Sequence, residues 1–451
     1  MKKSLLLNAI LWLTTAASAV NGPWNGTLEF GGQKLGIVFN IVTNEKGEQV
    51  VTMDSPNQGV KDVPAELVKN TADTLEITVN AIGAKFSGVV KDNVINGTFS
   101  QSGIEIPLKL ERGVSVYNRP QTPQPPFEYK TEEITFENVK ENAVLSGTLT
   151  YPTGYNPKKR KNTPVVLLVT GSGQQNRDEE LFEHKPFAVI ADYLAKHGIA
   201  SLRYDDRGVW KSTGSLEGLT TENSAADALA GIEYLKNSKK FGKIGVLGHS
   251  EGGMIAFMAA SQKAANFIVS MAGPGVRGDK ILVQQNKTAL TQYGLPDSTI
   301  NECAKALQFI FDAKIATHKN GSGLNIPMII ATLSQSNIPN ELKQSFINLG
   351  KQNNPWMNWY LATDPTLYIQ NTTCPVMAVN GSKDLQVPSK QNLDAIQANL
   401  PKDKKHLIKE YEGLNHLFQH CTTGAVTEYI DIEETISEEV LRDIKDWIKG
   451  L

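Results

Sequence analysis

The sequence has little cysteine, no surplus of positive charge and, beyond its first residues, no long apolar run. Each absence removes a class of function. Cys303, Cys374 and Cys421 are the only cysteines in 451 residues. Their spacing fits no zinc motif, and an odd count leaves at least one without an internal partner even if two pair. The default expectation for all three is that of small buried hydrophobes. Lys and Arg total 45 against 47 Asp and Glu, a formal charge of −2. No basic excess is available to neutralise a nucleic-acid backbone, and no acidic block forms a tail. No Gly-Lys-Ser/Thr phosphate loop occurs, and Gly171-Ser172-Gly173-Gln174-Gln175-Asn176 lacks the third glycine of a dinucleotide fingerprint. No nucleotide or other cofactor, no metal and no nucleic-acid partner is therefore expected.

The composition present is that of a globular protein, with 40% hydrophobic and 20% charged residues. The length suggests two or three compact units. At the N-terminus, Met1-Lys2-Lys3 is followed by an apolar run from Leu5 to Leu13 and by Ala17-Ser18-Ala19. This reads as a cleaved secretory signal over residues 1–19, since the run is too short to span a bilayer. No cysteine near residue 20 offers a lipid attachment point. The mature chain is thus expected to be exported, periplasmic or secreted, without a membrane span.

Residues 20–118 read as a small all-β domain. Leu75-Glu76-Ile77-Thr78-Val79 and Ile104-Glu105-Ile106-Pro107-Leu108 alternate apolar and polar side chains, the period of a strand with one buried face. A barrel or a sandwich would satisfy the pattern, and the segment holds no catalytic cluster. Arg119-Pro120-Gln121-Thr122-Pro123-Gln124-Pro125-Pro126 predicts an extended linker over 119–127.

From residue 128 onward the rhythm is that of a mostly parallel sheet with helices on both faces. Two alternating segments, Glu133–Phe136 and Val144–Thr150, predict a hairpin. The run Val165-Val166-Leu167-Leu168-Val169 is apolar throughout, as in a strand covered on both sides. Strands then alternate with helical patterns through Ile199–Tyr204, Ile244–Leu247, Phe267–Met271 and Val376–Val379. Between 277 and 365 the alternation gives way to helical periodicity ending in Pro355-Trp356-Met357-Asn358-Trp359-Tyr360. Such an insertion predicts a helical cap over the carboxyl edge of the sheet. Its aromatics either line a pocket or pin the cap to the core.

Gly248-His249-Ser250-Glu251-Gly252 lies directly between a buried strand and a helix. That is the G-x-S-x-G nucleophile elbow in its required setting. A serine hydroxyl needs a base, and the base needs an orienting carboxylate. In this fold the chain order is Ser, Asp or Glu, then His. Asp384 follows the strand at Val376–Val379, and His416 follows a last predicted strand at Leu407–Glu410. Ser250, Asp384 and His416 are therefore the expected catalytic residues. His420 lies further from the strand end, His249 is expected only to pack, and Asp205 and Asp206 are expected in a structural charge cluster with Arg203 and Arg207. The expected oxyanion donors are the backbone N–H of Glu251 and that of Ser172 or Gly173, between which the sequence does not choose.

These residues resemble the α/β-hydrolase superfamily over residues 128–451. Thr170-Gly171-Ser172-Gly173, His184-Lys185-Pro186-Phe187, Arg203-Tyr204-Asp205-Asp206-Arg207-Gly208 and the elbow are similar to a group of exported bacterial carboxylesterases. Many of that group carry an extra N-terminal β domain, and some are classed as serine aminopeptidases or prolyl-oligopeptidase-like hydrolases. The resemblance implies an α/β-hydrolase fold and hydrolysis of a small-molecule carboxylic ester through a Ser-His-Asp triad. Hydrolysis of short peptides is the alternative, and a non-catalytic binder on the same scaffold a third. Self-association into a homo-oligomer is compatible with either enzyme. One departure is visible: Trp210 stands where the group has a second glycine after Arg207-Gly208, which bears on the shape of that loop.

Overall fold

In a computed structural model the described residues are 20–30, 33–44, 47–55, 60–71, 73–101, 103–113, 117–321, 324–403 and 405–451. The candidate signal, 1–19, lies outside them. The chain divides into two compact units, Met1–Asn118 and Arg119–Leu451.

The first unit contains β1 (Gly22–Phe30), β2 (Gln33–Thr43), β3 (Gln49–Ser55), β4 (Val60–Asn70), β5 (Thr74–Val79), β6 (Ala84–Lys91), β7 (Val94–Gln101) and β8 (Ile104–Arg112). Each strand pairs antiparallel with the next, and β1 returns to β8 through Trp24↔Arg112 and Asn25↔Glu111. Of the two architectures open to the sequence, the unit is thus a closed barrel. Closure removes the unpaired strand edges that an open sheet would expose. Along β5 the burial alternates, with Leu75, Ile77 and Val79 inside. Trp24, Phe39, Ile41, Phe86, Ile95 and Leu110 join them in one core, so the interior is filled by side chains. The Trp24 indole N–H, fully buried, donates to the Val20 carbonyl at 2.7 Å.

The second unit begins with the proline-rich stretch, which is not a free linker. The Arg119 guanidinium donates to the carbonyls of Phe182, Ile430 and Ile432. The Gln121 amide donates to the Ile436 carbonyl and accepts from the N–H groups of Thr435 and Ile436. Two long polar side chains satisfy loop backbone groups and fasten the segment.

There follow β9 (Thr131–Asn138), β10 (Ala143–Thr150), β11 (Val165–Val169), α1 (Pro186–Lys196), β12 (Ala200–Tyr204), α2 (Thr221–Ser238), β13 (Ile244–His249), α3 (Glu251–Ser261) and β14 (Phe267–Met271). The cap comprises α4 (Gly278–Gln292), α5 (Asp297–Asn320), α6 (Ile326–Ser334), α7 (Asn340–Lys351) and α8 (Pro355–Ala362). After it come α9 (Thr366–Gln370), β15 (Val376–Gly381), α10 (Ser389–Asn399), β16 (Leu407–Tyr411) and α11 (Glu438–Gly450). The sheet order is β16-β15-β14-β13-β11-β12-β10-β9. β9–β10 and β10–β12 are antiparallel and the remaining pairs parallel. This is the α/β-hydrolase fold. One core fills each face of the sheet, which is why β11, β13, β14 and β15 are buried at every position. The cap has its own core around Cys303, Leu307, Ile310, Phe311, Phe346 and Leu361. All three cysteines are unpaired, Cys303 and Cys374 buried and Cys421 half-buried.

The loop at Trp210 keeps the conformation a glycine would favour. Trp210 has φ 48° and is 74% exposed, so a bulky side chain is tolerated in the left-handed region by pointing into solvent. No helix among the described residues is long and apolar enough to cross a membrane.

Phe86 is fully buried in the barrel, its ring centroid 5.7 Å from that of Phe39. Phe86→Ala should cost about 3–5 kcal/mol of barrel stability, seen as faster amide hydrogen exchange across β5, β6 and β7.

Candidate active site

The site is organised by a turn with almost no free volume. β13 ends at His249 and α3 begins at Glu251, so Ser250 alone makes the corner, at φ 54° and ψ −121°. Its N–H donates to the Met271 carbonyl at 2.8 Å, and its carbonyl accepts from Gly253 N–H at 2.9 Å. A Cβ at Gly248 would lie 1.9 Å from the Gly252 carbonyl oxygen, and one at Gly252 would lie 2.2 Å from that of Val169. Both glycines are thus steric necessities. The loop after β11 also passes near: a Cβ at Gly171 would sit 3.1 Å from that of Ser250.

Asp384 and His416 form a buried pair. His416 Nδ1 lies 2.7 Å from Asp384 Oδ2. The other oxygen, Asp384 Oδ1, accepts from the N–H groups of Gln386 and Val387, each at 2.8 Å, so the carboxylate is fixed before it meets the ring. The turn carrying His416 is set by Asn415, whose side-chain oxygen accepts from Leu417 N–H and Gln419 N–H at 3.0 Å. His416 Nε2 and Ser250 Oγ make no hydrogen bond among the described residues, to each other or to other groups. The ring is nonetheless beside the elbow, since the His416 and His249 ring centroids are 4.7 Å apart. Such pairs often tighten only when substrate is bound. His420 is exposed and paired with Glu434 at 2.8 Å, away from this pair.

Glu251 opens α3, so its N–H heads the helix, where the macrodipole favours negative charge. In the facing loop, Gly171 N–H is taken by Glu179 Oε1 at 2.8 Å. The N–H groups of Ser172 and Gly173 have no partner among the described residues. Beside them is a cavity of about 630 Å³, reached by Ser172, Gly173, Asp206, Glu251, Asn354 and Trp356 among others, with no basic side chain among the described residues of its lining. Burial pushes the Asp206 carboxyl up to about 8 despite hydrogen bonds from Gln175 N–H and the Thr170 hydroxyl.

Two expectations from the sequence are corrected here. His249 does more than pack. Its Nδ1 lies 3.0 Å from Glu179 Oε1 and its Nε2 2.9 Å from the His416 carbonyl oxygen. Burial pulls the His249 imidazole down, but the Glu179 charge and these hydrogen bonds outweigh it and hold it above the usual histidine range. One carboxylate, Glu179, thus ties the Gly171 loop to the elbow, and His249 ties the elbow to the backbone of His416. The charge cluster around Asp205 is also partitioned otherwise. Asp205 pairs with Arg177 at 2.7 Å, Arg203 with Asp178, and Arg207 with Asp227 at 2.7 Å. The cap aromatics divide as well: Trp359 and Tyr360 are buried, whereas Trp356 reaches the cavity while stacking on Tyr360 at 5.2 Å.

The raised His249 value sets a sign. Its unfolded value is about 6.5, so its stabilisation is complete below that pH and is lost as pH rises through the higher folded value. His249→Gln should lower Tm most at about pH 6 and lessen the decline of Tm toward about pH 9, read by thermal denaturation across that range.

Comparison with known proteins bears on the hydrolase unit. The family model described as X-Pro dipeptidyl-peptidase (S15 family) matches residues 146–420. Esterase EstD of Thermotoga maritima is 27% identical over 274 residues, which are 60% of this chain and 58% of that esterase. The chain thus spans less than two thirds of that relative's length. An acyl transferase of Photorhabdus luminescens is 22% identical over 290 residues, 60% of this chain and 85% of the transferase. Among solved structures, an esterase of Pyrococcus furiosus is 18% identical with a TM-score of 0.40, covering 75% of this chain and 99% of its own. With more than half its length matched by the family model, the chain belongs to the X-Pro dipeptidyl-peptidase (S15) family of hydrolases.

Proposed function

We propose that the protein hydrolyses small carboxylic esters by acyl transfer through Ser250. The observation that carries this reading is the buried Asp384–His416 pair beside the strained elbow. Asp384 holds Nδ1–H, so the neutral ring offers the Nε2 lone pair toward the serine. In the first half-reaction Ser250 Oγ bonds to the ester carbonyl carbon and its proton passes to His416 Nε2. The carbonyl π electrons move onto oxygen, which the N–H of Glu251 and that of Ser172 or Gly173 stabilise. Collapse of this adduct breaks the bond to the alkoxy oxygen, which takes the proton from Nε2 and leaves as the alcohol. In the second half, water gives a proton to Nε2 and its oxygen attacks the acyl-enzyme. The acid then departs and Ser250 regains its proton.

The name of the Thermotoga maritima relative supports the ester reading. The family's own description favours a second, hydrolysis of short peptides by the same acyl-enzyme route. The cavity lining supports a neutral acyl or alcohol group, since a carboxylate-bearing one would find no basic side chain among the described residues there. The signal read in residues 1–19 supports action outside the cytoplasm.

Ser250→Ala should lower kcat on a short p-nitrophenyl ester by about 10⁴-fold or more, and Asp384→Asn by about 10⁴-fold through the wrong tautomer of the base. Near wild-type turnover by pure Ser250→Ala protein would sink the mechanism. A higher kcat/KM on aminoacyl anilides than on p-nitrophenyl esters would give precedence to the peptidase reading.

A further inference from the structure

The side chain of Glu251 has partners that the backbone role of this residue does not require. It is 95% buried, and no basic group among the described residues pairs with it. Its carboxyl oxygens meet donors from three separate segments. The Ser172 hydroxyl reaches Oε2 at 2.6 Å, from the loop expected to give the second oxyanion donor. The Thr221 hydroxyl reaches Oε1 at 2.6 Å, from the first turn of α2. The Trp356 indole N–H lies 2.9 Å from both oxygens, from cap helix α8. A buried carboxyl without a cation depends on such donors, and losing one leaves it under-satisfied. Trp356 is also the only one of the three that belongs to the cap. The α8 end of the cap is fastened in turn: Asn354 caps the helix through Met357 N–H at 3.0 Å, and buried Lys314 of α5 donates to the Gln352 carbonyl at 2.6 Å.

We propose that the Glu251 carboxyl is a positioning group that couples the seating of the cap, through Trp356, to the placement of the oxyanion loop, through Ser172. One residue then serves the hole twice. Its N–H is a donor, and its side chain aligns the loop carrying the other donor only while the indole N–H is in place. Because Trp356 and Ser172 also border the same cavity, a substrate that fills the cavity presses on both ends of the link. The proposal rests on the acyl-transfer reading above.

The test is a double-mutant cycle of Trp356→Phe and Ser172→Ala, with kcat and KM measured on one p-nitrophenyl ester. Phe keeps a six-membered ring that can stack on Tyr360 and removes the indole N–H together with the rest of the five-membered ring. Trp356→Phe should lower kcat on the order of 10-fold, less than removal of a hole donor outright, with KM within about 2-fold. The double variant should lose less than the product of the single losses, because both act through Glu251. Glu251→Gln keeps the backbone N–H and the shape but turns an amide N–H₂ toward a donor. It should reproduce the kcat loss, which guards against a fold defect peculiar to the cap variant. An unchanged kcat in Trp356→Phe, an effect on KM alone, or multiplicative losses in the double variant would overturn the coupling. If Ser250→Ala abolishes turnover while any of these results is found, the coupling alone fails. If Ser250→Ala retains turnover, the acyl-transfer reading fails first.

Discussion

The steric limit at Ser250 is the constraint on which the site depends. A parallel strand, a one-residue corner and a helix can share so small a volume only if neither Gly248 nor Gly252 carries a Cβ, since each would strike a backbone carbonyl at about van der Waals-forbidden range, 1.9 and 2.2 Å. The same crowding leaves Ser250 at φ 54°, a conformation that costs on the order of 1–3 kcal/mol and persists where surrounding packing over-determines it. That packing is the sheet centre: β11 and β14 flank β13, and all three strands are buried throughout. The cost is thus carried by strands buried at every position, and its product is a hydroxyl presented at the sheet edge beside the head of a helix.

Around that corner, buried carboxyl groups do the joining. Asp384 binds two backbone N–H groups with one oxygen and the imidazole of His416 with the other. Glu179 binds the Gly171 N–H and His249 with a single oxygen. Glu251 collects two hydroxyls and an indole. Each of these groups is costly to bury alone and becomes tolerable through the hydrogen bonds it accepts. Because the donors come from distant segments, satisfying each carboxyl fixes the relative position of two or more loops. The arrangement concentrates rigidity at the groups that must meet a transition state.

The parts legible in the sequence were those with local signatures. Fully apolar runs marked β11, β13, β14 and β15 because strands covered on both faces need no polar side. The elbow was legible because its glycines are demanded within five residues. Asp384 and His416 were placed by chain order at strand ends, and the structure sets them 2.7 Å apart. What escaped depends on contacts between residues far apart. Barrel closure rests on two register pairs, Trp24↔Arg112 and Asn25↔Glu111, which alternation within a strand cannot reveal. His249 finds Glu179 across 70 residues, and Glu251 finds Trp356 across 105. Nothing in a one-dimensional pattern marks either pairing. The proline-rich stretch opens the second unit, and its prolines do not reveal that Arg119 and Gln121 within it bind loop carbonyls over 300 residues away.

The central claim is a covalent intermediate on one serine. It is tested most directly by rapid acid quench of the wild-type protein during turnover of a p-nitrophenyl ester, with peptide mass analysis of the trapped enzyme. The account predicts a burst of nitrophenol approaching one equivalent per chain and the mass of the acyl group on the peptide that contains Ser250. Turnover with no acyl adduct at Ser250, or an adduct on another residue, would contradict it.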